Sequence, residues 1–263
     1  MKYQNDPDDG VFTLIKKNWR NVGYLKEFEL YFKLRPIDKE VISNSITILI
    51  DGGDFKTPND KFDWNQFISK FNRETNFYQL CWPNMISDPL SDNKKKDGKK
   101  ITQLKFIAKT CGKLLGMILY SEKFFPNFQI NLVGLNFGCF IIKSCLKEMK
   151  ILKSLENKKI FIKNILFINA AINFKNEVNW SDVFRNLIVD KIINCFSKED
   201  NVHTLINQHA KPIESIGING LNTDNFQKQY LKYQHNLTEF NFGKEFYDLS
   251  IPAQVSFASY NDL

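Results

Sequence analysis

The chain is 263 residues long, with 43% hydrophobic, 14% aromatic and 25% charged residues. That composition is too apolar and too aromatic for a disordered chain, and the length suits one α/β domain or two small ones, with ample capacity for a buried core. The net charge is +7, and the segment Lys94, Lys95, Lys96, Asp97, Gly98, Lys99, Lys100 alone supplies +4 of it. Its basic residues thus cluster without the interleaved stacking aromatics of a nucleic-acid binder, so nucleic acid is not an expected partner. The segment reads as a low-complexity surface loop, and Lys94, Lys95, Lys96, Lys99 and Lys100 as a candidate docking element for an acidic partner or anionic surface. No apolar run reaches the roughly 20 residues of a bilayer span, and the polar start MKYQNDPDD has no secretory apolar region.

Cys81, Cys111, Cys139, Cys145 and Cys195 are scattered, odd in number, and form no CxxC pair or zinc-ligand spacing with histidine. They read as reduced core thiols of an intracellular protein, so neither a metal nor a cofactor is expected. A sequence pI of about 9.0 fits a mitochondrial complex, the cytosol or a cilium equally.

In chain order, residues 1–40 are expected to be an N-terminal extension, in which Phe28–Leu34 partly alternates and suits a strand. Residues 41–263 are expected to form one α/β domain. Ile46–Ile50 is a β-branched run stopped by Asp51-Gly52-Gly53-Asp54. Trp64–Phe71 suits a short helix and Phe77–Trp82 a strand ended by Pro83. Ile101, Leu104, Ile107, Ala108, Cys111, Leu114, Leu115 and Ile118 recur at three- and four-residue spacing, which predicts a helix with one buried stripe. Phe128–Val133 predicts a strand, followed by a helix through Lys150; Lys159–Ile168 predicts another strand. Ser181 is a suitable N-cap for a helix Asp182–Val189, and Ile192–Phe196 predicts a further strand. Near-continuous apolar strands alternating with amphipathic helices indicate a mostly parallel sheet with helices on both faces.

Sites in such sheets form at the carboxyl ends of the strands. One such end reads Gly134-Leu135-Asn136-Phe137-Gly138, with glycines at the first and fifth positions, the shape of the G-x-S-x-G elbow that exposes a nucleophile on a sharp turn. Downstream, Ser197-Lys198-Glu199-Asp200 follows a strand and offers carboxylates, and Tyr233-Gln234-His235-Asn236 holds a late histidine. Elbow, acid, histidine is the chain order of α/β-hydrolases.

From about Ser45 to Phe240 the sequence resembles the α/β-hydrolase-like family of unknown function that includes transmembrane and coiled-coil domain-containing protein four. The resemblance is carried by ITILIDGGDF, FYQLCW, INLVGLNFGCFIIKSCLKEM, IKNILFINAAI, Trp180 before a short helix, IINCFSKEDNV and KYQH. It implies that the nucleophile position falls on Asn136, the acid on Asp200 and the histidine on His235. It further implies oxyanion donors at the backbone N–H of Phe137 and in the Gly52-Gly53 turn. The elbow serine is absent, and so is the membrane-spanning hairpin of the larger members.

A carboxamide at neutral pH is not a nucleophile that histidine can activate. The expectation is therefore a catalytically inactive hydrolase frame with vestigial triad positions, acting as a structural or interaction subunit with protein partners in a larger assembly. Two alternatives stand beside it: a module binding a lipid or small acyl ligand, and a hydrolase that works without serine. Cys139 and Ser144, further along the helix, are poorly placed to substitute, and deamidation of Asn136 to a carboxylate nucleophile is slowed by the bulky Phe137.

Overall fold

The computed structural model describes residues 32–37, 43–52, 64–70, 75–82, 94–121, 125–156, 162–172, 183, 186–197, 215–219 and 237–241. In chain order these form β1 (Lys33–Pro36), β2 (Ser45–Ile50), α1 (Trp64–Lys70), β3 (Asn76–Cys81), α2 (Lys94–Tyr120) and β4 (Gln129–Leu135). There follow α3 (Phe137–Glu156), β5 (Ile162–Ile168), β6 (Ile188–Phe196), α4 (Ile216–Asn219) and β7 (Leu237–Asn241).

The strands make one seven-stranded sheet in the order β1-β3-β2-β4-β5-β6-β7. Only β1 is antiparallel, against β3; every other neighbouring pair is parallel. Successive strand residues point to opposite faces, and both faces are covered. Ile46, Ile48 and Ile50 of β2 join Leu132, Ile165 and the inner faces of α2 and α3 in the larger core. Leu49 points the other way, with Val133, Leu135, Leu166, Ile168, Ile193 and Cys195, under Trp64, Phe67 and Ile68 of α1. Burial on both faces is why these strands read as apolar runs rather than alternating ones. This doubly covered, mostly parallel sheet is an α/β-hydrolase-like fold.

Polar side chains pin the register inside this apolar sheet. Thr47, Asn131 and Asn164 are direct neighbours on β2, β4 and β5. The Asn164 amide donates to Asn131 Oδ1 at 2.8 Å, the Asn131 amide reaches Ser45 Oγ at 3.1 Å, and Thr47 Oγ1 lies 3.0 Å from Thr75 Oγ1. A one-residue slip would break this chain of bonds as well as invert both cores.

Several expectations are corrected. Lys94–Lys100, read as a loop, form the opening turns of α2. Lysine is a good helix former, and the helix anchored by buried Ile101, Leu104 and Ala108 extends backward through it at little cost. Among the described residues the chain first enters the sheet at Lys33–Pro36, which overlaps the end of the expected strand Phe28–Leu34, whose residues 28–31 lie outside the described ones. Val183, Asn186 and Leu187 are helical as expected, but strand geometry starts at Ile188 instead of Ile192. The strand Leu237–Asn241 has no counterpart in the sequence reading.

Candidate functional site

β4 ends at Leu135 and α3 begins at Phe137, so the chain reverses from strand to helix about one residue, Asn136. Asn136 adopts φ 46°, the left-handed region that costs most side chains about 1–2 kcal/mol and that asparagine tolerates better than others. Its N–H donates to Ile168 O at 2.9 Å, and its carbonyl accepts from Cys139 N and Ala171 N, each at 3.2 Å. The turn is thereby bonded to its own helix and to the end of the neighbouring strand.

Three glycines make this geometry attainable. A Cβ on Gly138 would collide with the Ile50 carbonyl oxygen and stand 2.8 Å from that of Asp51. One on Gly134 would lie 2.7 Å from Ile142 Cδ1 and 2.8 Å from Cys139 N. One on Gly52 would lie 2.7 Å from Asn136 Cβ and 2.9 Å from Leu135 O. The elbow and the turn after β2 interlock backbone against backbone, which places buried Gly52 beside Asn136.

The β2 turn has its own clamp. The Asp51 carboxylate accepts from the Trp64 indole N–H and, at 2.8 Å, from the Gln79 amide; the Asp51 carbonyl accepts from the Trp82 indole at 3.1 Å. Charge-assisted bonds to a fixed carboxylate are among the stronger hydrogen bonds in proteins. Sequence reading registers Asp51 only as a strand stop, because nothing in the spacing joins residues 51, 64, 79 and 82 before the sheet brings β3 beside β2.

Asn136 is 6% exposed, and among the described residues its Oδ1 has no hydrogen-bond partner. Phe137 is fully buried. Thus Asn136, Phe137 and Gly52 are brought together at the sheet's carboxyl edge. Gly53, Asp200 and His235 lie outside the described residues. Of the lysine segment, Lys99 is exposed and Lys100 half-buried, on a helix rather than a loop; Lys94, Lys95 and Lys96 lie on its opening turns.

No thiol near the elbow takes over the nucleophile's place. Cys139 is buried and donates to Gly134 O at 2.9 Å, behind the turn, and burial pushes its thiol far above the ordinary range. The same burial raises Cys111, Cys145 and Cys195, so these thiols are held protonated. Among the described residues no group of histidine, cysteine, aspartate and glutamate is arranged to hold a metal ion. Asn169, which sequence reading overlooked, ends β5 in the same left-handed conformation as Asn136, at φ 44°.

The fold is similar to that of TT1662 from Thermus thermophilus, with a TM-score of 0.51 at 10% identity, covering 85% of this chain and 90% of that one. A putative carboxylesterase from Lactobacillus plantarum WCFS1 gives a TM-score of 0.42 at 11% identity over 80% of this chain and 81% of its own. Zea mays acyl-protein thioesterase 2 gives 0.43 at 11% identity over 85% and 100%. No curated protein matches the sequence. The model of the family described as "Protein of unknown function (DUF726)" matches residues 101–240, more than half of the chain and with the whole elbow inside it, and the chain belongs to that family.

Proposed function

We propose that this protein is a catalytically inactive α/β-hydrolase-fold protein that serves as a structural or interaction subunit of a larger assembly. The observation that carries the reading is the residue at the apex of the elbow: a buried carboxamide, in left-handed geometry, between two glycines that admit no side chain. A serine hydrolase needs at that point a hydroxyl that a base can deprotonate. Asn136 offers an amide oxygen and an NH₂, and the neighbouring thiol of Cys139 is turned inward and protonated. Removing the nucleophile from a triad lowers turnover by about 10⁶-fold in a well-studied protease. On this reading Asp200 and His235 are vestigial partners, and the N–H of Phe137 with the Gly52-Gly53 turn is an oxyanion hole without an oxyanion to hold.

A second reading, a module that binds a lipid or small acyl ligand, is favoured by one atom. Asn136 Oδ1 is buried without a donor among the described residues, an arrangement that costs about 1–3 kcal/mol. A ligand hydroxyl or amide N–H would satisfy it.

Ester hydrolysis by the wild type and by Asn136→Ser separates these readings from an active enzyme. The inactive frame predicts no turnover by the wild type and measurable turnover by the serine variant. Wild-type hydrolysis that Asn136→Ala abolishes would overturn it. The assembly half of the proposal is tested by native-mass analysis of the chain isolated from its own cells; a free monomer throughout would remove it.

A further inference from the structure

The net charge of the molecule sits in one layer. Helices α2 and α3 carry twelve lysines against Asp97, Glu148 and Glu156, a net of +9. The whole chain is +7, so everything else sums to −2. Neither helix contains an arginine.

Packing turns this charge into a surface. Gly112 of α2 meets the α3 backbone at Ile141 and the Ser144 side chain, and Gly116 meets Cys145 and Glu148. The contacts advance together by four residues, so the helices run side by side in the same direction. Both bury their inner stripes in the same core, through Leu104, Ala108, Cys111 and Leu115 on α2 and Ile142, Cys145, Leu146 and Met149 on α3. Their opposite stripes therefore share one outer face. It presents Lys99, Phe106, Lys109 and Lys113 from α2 and Lys147, Ile151 and Leu155 from α3, each exposed except the half-exposed Lys113.

The apolar side chains on this face are conspicuous. Phe106 is 55% exposed, Ile151 46% and Leu155 75%. At 1.5 Å per helical residue, Phe106 and Leu155 stand about 25 Å apart along the face, with Lys109, Lys113 and Lys147 between them. A protein–protein interface concentrates aromatic and arginine anchors in a central patch and is depleted in lysine. Here the order is reversed: lysines hold the centre, and separated apolar side chains hold the two ends. That arrangement suits a diffuse, planar negative charge with an apolar layer just beneath it.

We propose that the outer face of α2 and α3 is a docking surface for an anionic lipid bilayer, with the lysines on the headgroups and Phe106, Ile151 and Leu155 entering the interface. Basic residues near an anionic leaflet attract it additively, within a screening length set by salt. Exposed apolar side chains add burial at the headgroup–acyl boundary. No helix among the described residues is long and apolar enough to cross the membrane. The site is independent of the elbow: Asn136→Ser leaves it untouched.

The test is co-sedimentation of the full chain with vesicles of phosphatidylcholine alone and with one-third phosphatidylserine, at about 0.1 M salt, where screening acts over about 10 Å. Binding is expected only to the anionic vesicles and is expected to fall steeply as salt is raised. Lys99→Gln/Lys109→Gln/Lys113→Gln/Lys147→Gln should weaken it by about five-fold per lysine, or about 600-fold in total, with helicity and melting unchanged. Should that variant melt early, the two pairs Lys99→Gln/Lys109→Gln and Lys113→Gln/Lys147→Gln are read separately, each expected to lose about 20-fold. Phe106→Ser and Leu155→Ser should each lower affinity without altering its dependence on salt. Wild-type chain left in the supernatant, or equal binding by the lysine variants, would overturn the proposal. So would lysine-dependent binding to RNA or to an acidic polypeptide with none to vesicles, which would assign the face to a soluble polyanion.

Discussion

Asn136 and Asn169 end adjacent strands in nearly the same conformation, φ 46° and 44°. Each donates its N–H to the end of the next strand over, Asn136 to Ile168 O and Asn169 to Cys195 O. Their continuations diverge. After Asn136 the chain enters α3 at once, whereas after Asn169 it stays non-helical through Ile172, where Ile216 N–H bonds to Ile172 O and Gly217 N–H to Ala170 O. A left-handed asparagine is therefore a way of leaving a parallel sheet and not in itself the mark of a site. What makes residue 136 an elbow is the interlock of Gly52, Gly134 and Gly138, which brings the β2 turn against it.

The sharpest way to break this comparison is Gly138→Ala. Its methyl would meet two backbone carbonyls of the β2 end that cannot yield separately, so a loss of about 3 kcal/mol is expected, read as a lowered urea midpoint. A loss under about 0.5 kcal/mol, the size of an ordinary surface substitution, would mean the elbow is not interlocked. Asp51→Asn tests the same junction from its far side. It replaces one carboxylate oxygen with an NH₂ facing a donor, for a cost of about 2 kcal/mol. Trp64 and Trp82 both bond to Asp51, so their fluorescence should shift with the same substitution.

The two strand ends also share a buried thiol each. Cys139 lies in the first turn after Asn136, and Cys195 supplies the carbonyl that receives the Asn169 N–H. Burial raises both above the ordinary 9.0. Each is thus protonated in the folded chain while the unfolded chain ionises, so its stabilising effect is complete below pH 9 and declines as pH rises beyond it. At pH 10 the expected loss is about 1.4 kcal/mol per thiol relative to pH 8. Cys139→Ala and Cys195→Ala should each flatten that slope by one thiol's share. An unchanged slope in one variant would show that its thiol ionises as freely folded as unfolded. In the cross-strand chain, Asn131→Ala removes the acceptor of the buried Asn164 amide together with its own bond to Ser45, for an expected cost of about 1–3 kcal/mol, read as a lowered urea midpoint.

Much of the fold was legible without coordinates, for local reasons. Ile46–Ile50, Phe128–Val133 and the end of Lys159–Ile168 announce strands because burial on both faces selects continuous apolar runs. The α2 stripe announces a helix because packing on one side selects a period near 3.6. The elbow was legible from two glycines flanking a single residue between strand and helix. Lys94–Lys100 was misread because charge and low complexity suggest a loop. Helix propagation depends instead on the adjoining residues, and here Ile101 and Leu104 anchor the helix in the core.

The alternation of elements and the carboxamide at position 136 were thus decided by residues close together in the chain, since periodicity and turn chemistry act over a few positions. The strand order, the Asp51 clamp by Trp64, Gln79 and Trp82, and the joining of two lysine-bearing helices into one basic face were decided only by the folded sheet. Each of those requires residues tens of positions apart to meet, and no short-range pattern in a chain encodes which distant surfaces will bury one another.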